Sequence, residues 1–207
     1  MKSPFETLLL IFTRNPELGK CKTRLAAKVG DHAALDVYKF LLNHTVDITR
    51  NVSADKHVYY SEEIWENDIW DEALYQKKLQ QGATLGERMA RAFDESFKLG
   101  YQRIIIIGSD MYDLSQKDLD NAFDALKKNN FVIGPAEDGG YYLLGMRKPK
   151  PELFESKAWG EASVFEATLK DLENEDYQIL ATRNDVDYYE DIAHIEAFHP
   201  FLKHIKK

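Results

Sequence analysis

Thr7-Leu8-Leu9-Leu10-Ile11-Phe12-Thr13 runs apolar without alternation and leads directly into Arg14-Asn15-Pro16-Glu17-Leu18-Gly19-Lys20-Cys21-Lys22-Thr23-Arg24. An apolar run with no period-two pattern reads as a strand buried on both faces. Such strands belong to parallel sheets covered by helices. Pro16 and Gly19 mark a loop. A helix is predicted next, over residues 24–50, because Leu35, Tyr38, Leu42 and Val46 recur at helical spacing. Outward from this unit the alternation continues. Strands are predicted over 56–60, 75–80, 103–107, 131–133, 141–146 and 177–181, and helices over 85–98, 115–128, 162–172 and 188–198. Ser115 is the expected N-cap of its helix. The pattern implies a mainly parallel sheet with helices on both faces, and ligands in such sheets bind beyond the carboxyl ends of the strands.

The chain has 207 residues, with 27 Lys plus Arg against 35 Asp plus Glu, for a net charge of −8. That balance argues against a general nucleic-acid surface. A single Cys excludes an intrachain disulfide and a multi-Cys zinc site. No apolar run approaches the length of a membrane span, and the start of the chain lacks the signal-peptide pattern. The expectation is one soluble, cytoplasmic domain. If its ligand is an anion, the acidic total poses the question of where the positive charge sits.

Three stretches fall at strand ends. Gly19, Lys22 and Arg24 lie in a basic loop before a helix, where a phosphate could be cradled, Lys22 acting as a point charge and Arg24 as a fork. It is neither a Walker loop nor a dinucleotide fingerprint, because the required glycines are missing. Its bland alternative is a solvated loop, and Cys21 reads as an incidental thiol. Asp110 closes the run Ile104–Ile107 through Gly108-Ser109. A carboxylate held there suits Mg²⁺ or Mn²⁺, and the competing reading is turn or helix capping. Asn184-Asp185-Val186-Asp187 is a second acidic loop, with helix capping by Asp187 as its alternative. Gly134-Pro135-Ala136-Glu137-Asp138-Gly139-Gly140-Tyr141 joins two strands. Its glycines allow close approach to a ligand, although Asp-Gly between strands is also a hairpin signal.

Together with Leu85-Gly86-Glu87-Arg88-Met89 and Glu190-Asp191-Ile192, these segments occur in the order of one family. The chain resembles the DUF2064 family of glycosyltransferase-like proteins, which has the GT-A, or nucleotide-diphospho-sugar transferase, fold. More distantly it is similar to phospholactate guanylyltransferases and molybdenum-cofactor nucleotidyltransferases. The resemblance implies an α/β three-layer sandwich with a mainly parallel sheet, in a single domain over residues 1–207. It implies that Gly19, Lys22 and Arg24 hold nucleotide phosphates and that Gly86 and Arg88 line the base or ribose side. Asp110 and Asp187 would be the metal ligands. Asp138 would be the acceptor base, and Gly139, Gly140 and Tyr141 would face the sugar or acceptor. One departure stands out: the family has Pro two residues after the strand-end Asp, where this chain has Tyr112.

The implied activity is glycosyl transfer from a nucleotide-activated sugar to a small-molecule acceptor, assisted by a divalent metal. Two alternatives remain open at this point. One is transfer of NMP from a nucleoside triphosphate to a phosphorylated acceptor. The other is a catalytically silent nucleotide-binding protein, motivated by Tyr112. Trp65 and Trp70 read as local packing, and Trp159 as a core or lid residue.

Overall fold

The computed structural model describes residues 6–205, so the first five residues and Lys206 and Lys207 lie outside the described residues. Seven strands form one sheet: β1 Thr7–Thr13, β2 Asp55–Tyr60, β3 Gln76–Leu79, β4 Arg103–Gly108, β5 Phe131–Pro135, β6 Tyr141–Met146 and β7 Tyr177–Ile179. Their order is β3-β2-β1-β4-β6-β5-β7. The β1/β2, β1/β4, β2/β3 and β5/β7 pairs are parallel, whereas β6 runs antiparallel to both β4 and β5. The expected mainly parallel sheet is present. Because only β6 is reversed, the carboxyl ends of the other six strands meet at one edge, together with the turn entering β6.

The helices are α1 Thr23–Val29, α2 Asp31–Thr49, α3 Leu85–Lys98, α4 Gln116–Ala125, α5 Val164–Asp171, α6 Tyr189–Ile192 and α7 His199–Leu202. Alternate residues of the central strands face two separate clusters. Leu9, Ile11, Ile105 and Ile107 pack with Tyr38 and Leu42 of α2 and Leu119 of α4. Leu8, Leu10, Ile104 and Ile106 pack with Met89 and Phe93 of α3. All eight of these strand residues are at most 4% exposed. Each contributes roughly 1.5–3 kcal/mol by leaving water, which makes β1 and β4 rigid supports for whatever stands at their ends.

Two predicted helices are divided. The one expected over 24–50 breaks at Gly30, whose φ of 83° separates α1 from α2; glycine adopts that left-handed geometry without steric cost. The one expected over 188–198 is a single turn, α6, followed by a 3-10 turn at Glu196–Phe198 and then α7. Pro200 stands in the first turn of α7. Its missing N–H belongs to the donors that a helix start leaves unpaired in any case, so it is tolerated there.

Candidate active site

Asn15, just after β1, is 2% exposed. Its amide donates to the Glu63 carbonyl at 2.8 Å and its oxygen accepts from the backbone of Glu62 and Glu63. This anchors the start of the β1–α1 loop to the chain beyond β2. Gly19 turns the loop at φ 74°, and Lys22 caps α1 in the left-handed region at φ 49°. A lysine held there is strained unless its surroundings impose it. They do: the Lys22 side chain is 5% exposed and its Nζ donates to Asp110 Oδ2 at 2.8 Å and Asp187 Oδ1 at 3.2 Å. Burial alone would lower the pKa of this ammonium, but the two carboxylates outweigh it and hold it above its ordinary value. Arg24 donates from Nη1 to Asp187 Oδ2 at 2.8 Å across the same loop and lies over the Tyr188 ring. Lys20 instead pairs outward with Glu17 and Glu62. The buried Cys21 thiol donates to the Asn15 carbonyl, and burial pushes its pKa up, which keeps the thiol protonated and unreactive.

Asp110 is positioned from the β4 side. The Tyr38 hydroxyl accepts the Arg14 N–H at 2.9 Å and shares hydrogen bonds with Thr13 and Ser109, whose hydroxyls are themselves 3.1 Å apart. This buried network ties the end of β1 to the end of β4, one residue before Asp110. Gly108 gives the carboxylate room: a Cβ there would lie 2.8 Å from Asp110 Oδ1. Burial would raise the Asp110 pKa, but Lys22 lowers it overall.

Asp187 is positioned by Asp191. The Asp191 carboxylate accepts N–H groups from Asp187 at 2.9 Å and Tyr188 at 2.6 Å, and it also accepts from the Asn184 side chain. Tyr188 is the N-cap of α6, so the capping alternative for Asp187 gives way. Its carboxylate is turned to Lys22 and Arg24. Asp185 stands beside it. Burial first, then the negative charges of Asp187, Asp138 and Asp110, push the Asp185 pKa from 3.8 up to about 6. A carboxyl raised in the fold costs nothing below the unfolded value. As pH rises from there through the folded value, the unfolded chain ionises first and the fold loses stability. Because Asp185 is partly exposed, solvent screening reduces the effect. Asp185→Asn is therefore expected to stabilise the metal-free protein by about 1 kcal/mol near neutral pH and not at all near pH 4. Urea melts at both pH values test this; an equal effect at the two would exclude the electrostatic cause.

The loop between β5 and β6 is a hairpin turn, as its Asp-Gly sequence allows. Asp138 Oδ1 accepts the Gly140 N–H at 2.8 Å and Gly139 sits at φ 88°. The turn nonetheless stands at the carboxyl edge, and Asp138 and Asp185 both border a cavity of about 250 Å³. The cavity lies between α3, the ends of β1 and β4, the start of β6 and residues 159–164. Gly86 is buried under Trp159, where a Cβ would meet the indole Nε1 at 2.5 Å. Its lack of a side chain lets Trp159 pack onto α3. Arg88 donates from Nε to the Gly82 carbonyl at 3.0 Å and reaches Gln80. Gln80 in turn donates to the carbonyls of Thr13 and Tyr59, at 3.2 and 2.9 Å. Arg88 thus braces the loop that borders the ends of β1 and β2. Asn15, Tyr38 and Gln80 escape sequence reasoning as site residues, because each acts through partners distant in the chain, whereas Asp191 holds neighbours three to seven residues away and Trp159, read as a core or lid residue, borders the cavity. Trp65 packs against the core and Trp70 against Tyr75, as expected. Tyr112 turns away from the cavity and packs against Phe40, His44 and Phe198.

Residues 45–161 match the family model described as "Uncharacterized protein conserved in bacteria (DUF2064)". This chain belongs to the DUF2064 family. The DUF2064 chain is similar over 96% of its length, at 31% identity and a TM-score of 0.83, to a "putative nucleotide-diphospho-sugar transferase" from Desulfovibrio desulfuricans G20, of which 94% is covered. It shares its fold with CMP:2-keto-3-deoxy-manno-octonic acid synthetase complexed with CTP, at 10% identity and a TM-score of 0.55, covering 94% of this chain and 98% of that one. It also shares it with Rv0371C from Mycobacterium tuberculosis H37Rv, solved as a complex with manganese, at 13% identity and a TM-score of 0.50, covering 96% and 99%. No curated protein matches the sequence. Among the described residues of this DUF2064 protein, no helix is long and apolar enough to cross a membrane.

Among the described residues, no three His, Cys, Asp or Glu side chains are arranged to hold a metal by themselves. A magnesium ion needs fewer, because waters and substrate phosphates fill most of its shell. Asp110 and Asp187 already share one cation, the Lys22 ammonium. The pair offers the oxygen donors that a hard divalent ion takes, at a place now held by the Lys22 ammonium.

Proposed function

We propose that this DUF2064 protein is a cytoplasmic, divalent-metal-dependent glycosyltransferase using a nucleotide-activated sugar donor. The observation that carries this reading is the meeting of Lys22, Arg24, Asp110 and Asp187 at the carboxyl edge of the sheet. Asp110 and Asp187 would hold Mg²⁺ or Mn²⁺, which when bound supplies neutralisation of the leaving diphosphate. Lys22 and Arg24 would bind the donor phosphates, one as a buried point charge and the other as a planar fork. Gly19 permits the turn that brings them there. Gly86 and Arg88 act by support, the first through Trp159 and the second through the loop at Gln80. Asp138 would accept the proton of the acceptor hydroxyl, and Gly139, Gly140 and Tyr141 would face that acceptor.

The relative from Desulfovibrio desulfuricans supports a sugar donor, and the fold shared with the CTP-bound synthetase also accommodates nucleotidyl transfer. The two reactions release different products. Purified protein with Mn²⁺ or Mg²⁺, a set of acceptors and either nucleotide sugars or nucleoside triphosphates is expected to release a nucleoside diphosphate from a sugar donor. Pyrophosphate release from a triphosphate would replace this reading with nucleotidyl transfer. Nucleotide binding without turnover across all donors and acceptors would mark a silent binding protein.

A further inference from the structure

The cavity beside the carboxylates has a composition unlike that of an anion site. Phe12, Met89, Tyr141 and Trp159 form much of its wall, and among the described residues its lining contains no Lys, Arg or His. Tyr141 and Trp159 meet edge to face, with ring centroids 6.3 Å apart. The charged groups at the cavity are Asp110, Asp138 and Asp185. Lys22, which pairs with the lining residue Asp110, is committed to it and to Asp187, and Arg183 is paired with Asp118 at 2.7 Å. The Tyr141 hydroxyl has as its partner the Met89 thioether, at 3.9 Å, a weak acceptor that a ligand oxygen would readily displace.

Apolar walls with a few polar groups at one end fix a ligand by its body and orient it by its head. Aromatic faces favour a ring, and carboxylates favour hydroxyl donors and repel anions. We propose that this cavity is the acceptor subsite and that its acceptor is an uncharged, ring-bearing alcohol, carrying neither phosphate nor carboxylate. The proposal rests on the glycosyltransferase reading and narrows its substrate class. In the step, the acceptor oxygen forms a bond to the anomeric carbon. The bond from that carbon to the diphosphate oxygen breaks, with its electron pair leaving on the diphosphate. The hydroxyl proton passes to the Asp138 carboxylate.

Benzyl alcohol, benzoate and benzyl phosphate form a charge series on one ring. Titrated into the full chain, they are read by tryptophan fluorescence, with Trp159→Phe assigning the signal to the cavity. Benzyl alcohol is expected to bind with a dissociation constant at least about tenfold below those of the two anions, and the signal should vanish in Trp159→Phe. Tyr141→Phe should weaken benzyl alcohol about threefold, the loss of one hydrogen bond. Equal or tighter binding of either anion, or no saturable binding of benzyl alcohol, would overturn the proposal. Thermal shifts with nucleotide sugars and Mn²⁺, run on the same preparation, separate the two readings. Benzyl alcohol binding without any nucleotide response would remove the acceptor role and the transferase reading together. A nucleotide response with anion-selective probes would sink the acceptor class alone.

Discussion

Asp110→Asn is expected to reduce turnover of a nucleotide-sugar donor by roughly 10²–10³-fold, while leaving the fold intact. The side chain keeps its shape, and the buried network of Tyr38, Thr13 and Ser109 that sets its backbone is untouched. The charge is what disappears. As a proposed metal ligand, Asp110 acts on the developing diphosphate through the ion, and such stabilisation amounts to several kcal/mol at the transition state. About 3–4 kcal/mol corresponds to that loss of rate. Steady-state turnover and Mn²⁺ affinity, measured together, check it. Full turnover with unchanged metal affinity in Asp110→Asn would remove Asp110 from the metal role.

Lys22→Met is expected to produce the largest loss of stability among single changes at the site. It deletes a buried ammonium and leaves Asp110 and Asp187 without their shared partner, beside Asp185. Breaking a fully buried pair costs about 3–5 kcal/mol. Here the carboxylates are 38% and 28% exposed, so solvent reduces the cost to about 2 kcal/mol. For a chain of this size that is a fall of roughly 4–8 °C in melting temperature. The sign with pH follows from Asp110. Its lowered pKa contributes stability above the unfolded carboxylate value, and that contribution is lost as pH falls through the folded value. The gap between wild type and Lys22→Met should therefore be widest near neutral pH and close in acid. Mn²⁺ should raise the melting temperature of the variant more than that of the wild type, because the ion no longer competes with the ammonium. A variant that melts like the wild type at every pH would show that the lysine has no electrostatic role.

The Lys22 geometry also answers the question posed by the net charge of −8. The protein does not spread positive charge over its surface to meet an anion. It places Lys22 and Arg24 against a cluster of carboxylates, and Lys20, from the same basic loop, pairs away from it. In the sequence, the family resemblance sets Lys22 and Arg24 apart from Lys20; the left-handed turn at Lys22 and the burial of its side chain give the physical difference between Lys22 and Lys20.

Gly30 shows where a local rule decided against periodicity. The signal is present in the sequence, yet the helical pattern on either side is strong enough to carry a reading through it. A single residue at φ 83° ends a helix whatever its apolar pattern. Tyr112 shows the opposite limit. Its place two residues beyond Asp110 puts it next to the site in sequence, while its packing against Phe40, His44 and Phe198 puts its ring elsewhere.

The sequence by itself determined the alternation of buried strands and amphipathic helices, because burial on both faces of a strand and on one face of a helix leaves a periodic record in the residues themselves. It also determined which loops carry charge and glycine. Tertiary structure alone decided that Lys22, Arg24, Asp110 and Asp187 meet, that Asn15 and Gln80 hold their loops in place, and that Trp159 closes a cavity over Gly86. Those contacts join residues up to 165 positions apart. They exist because the parallel order of the sheet gathers its carboxyl ends on one edge, and no local pattern encodes which loops that edge will bring together.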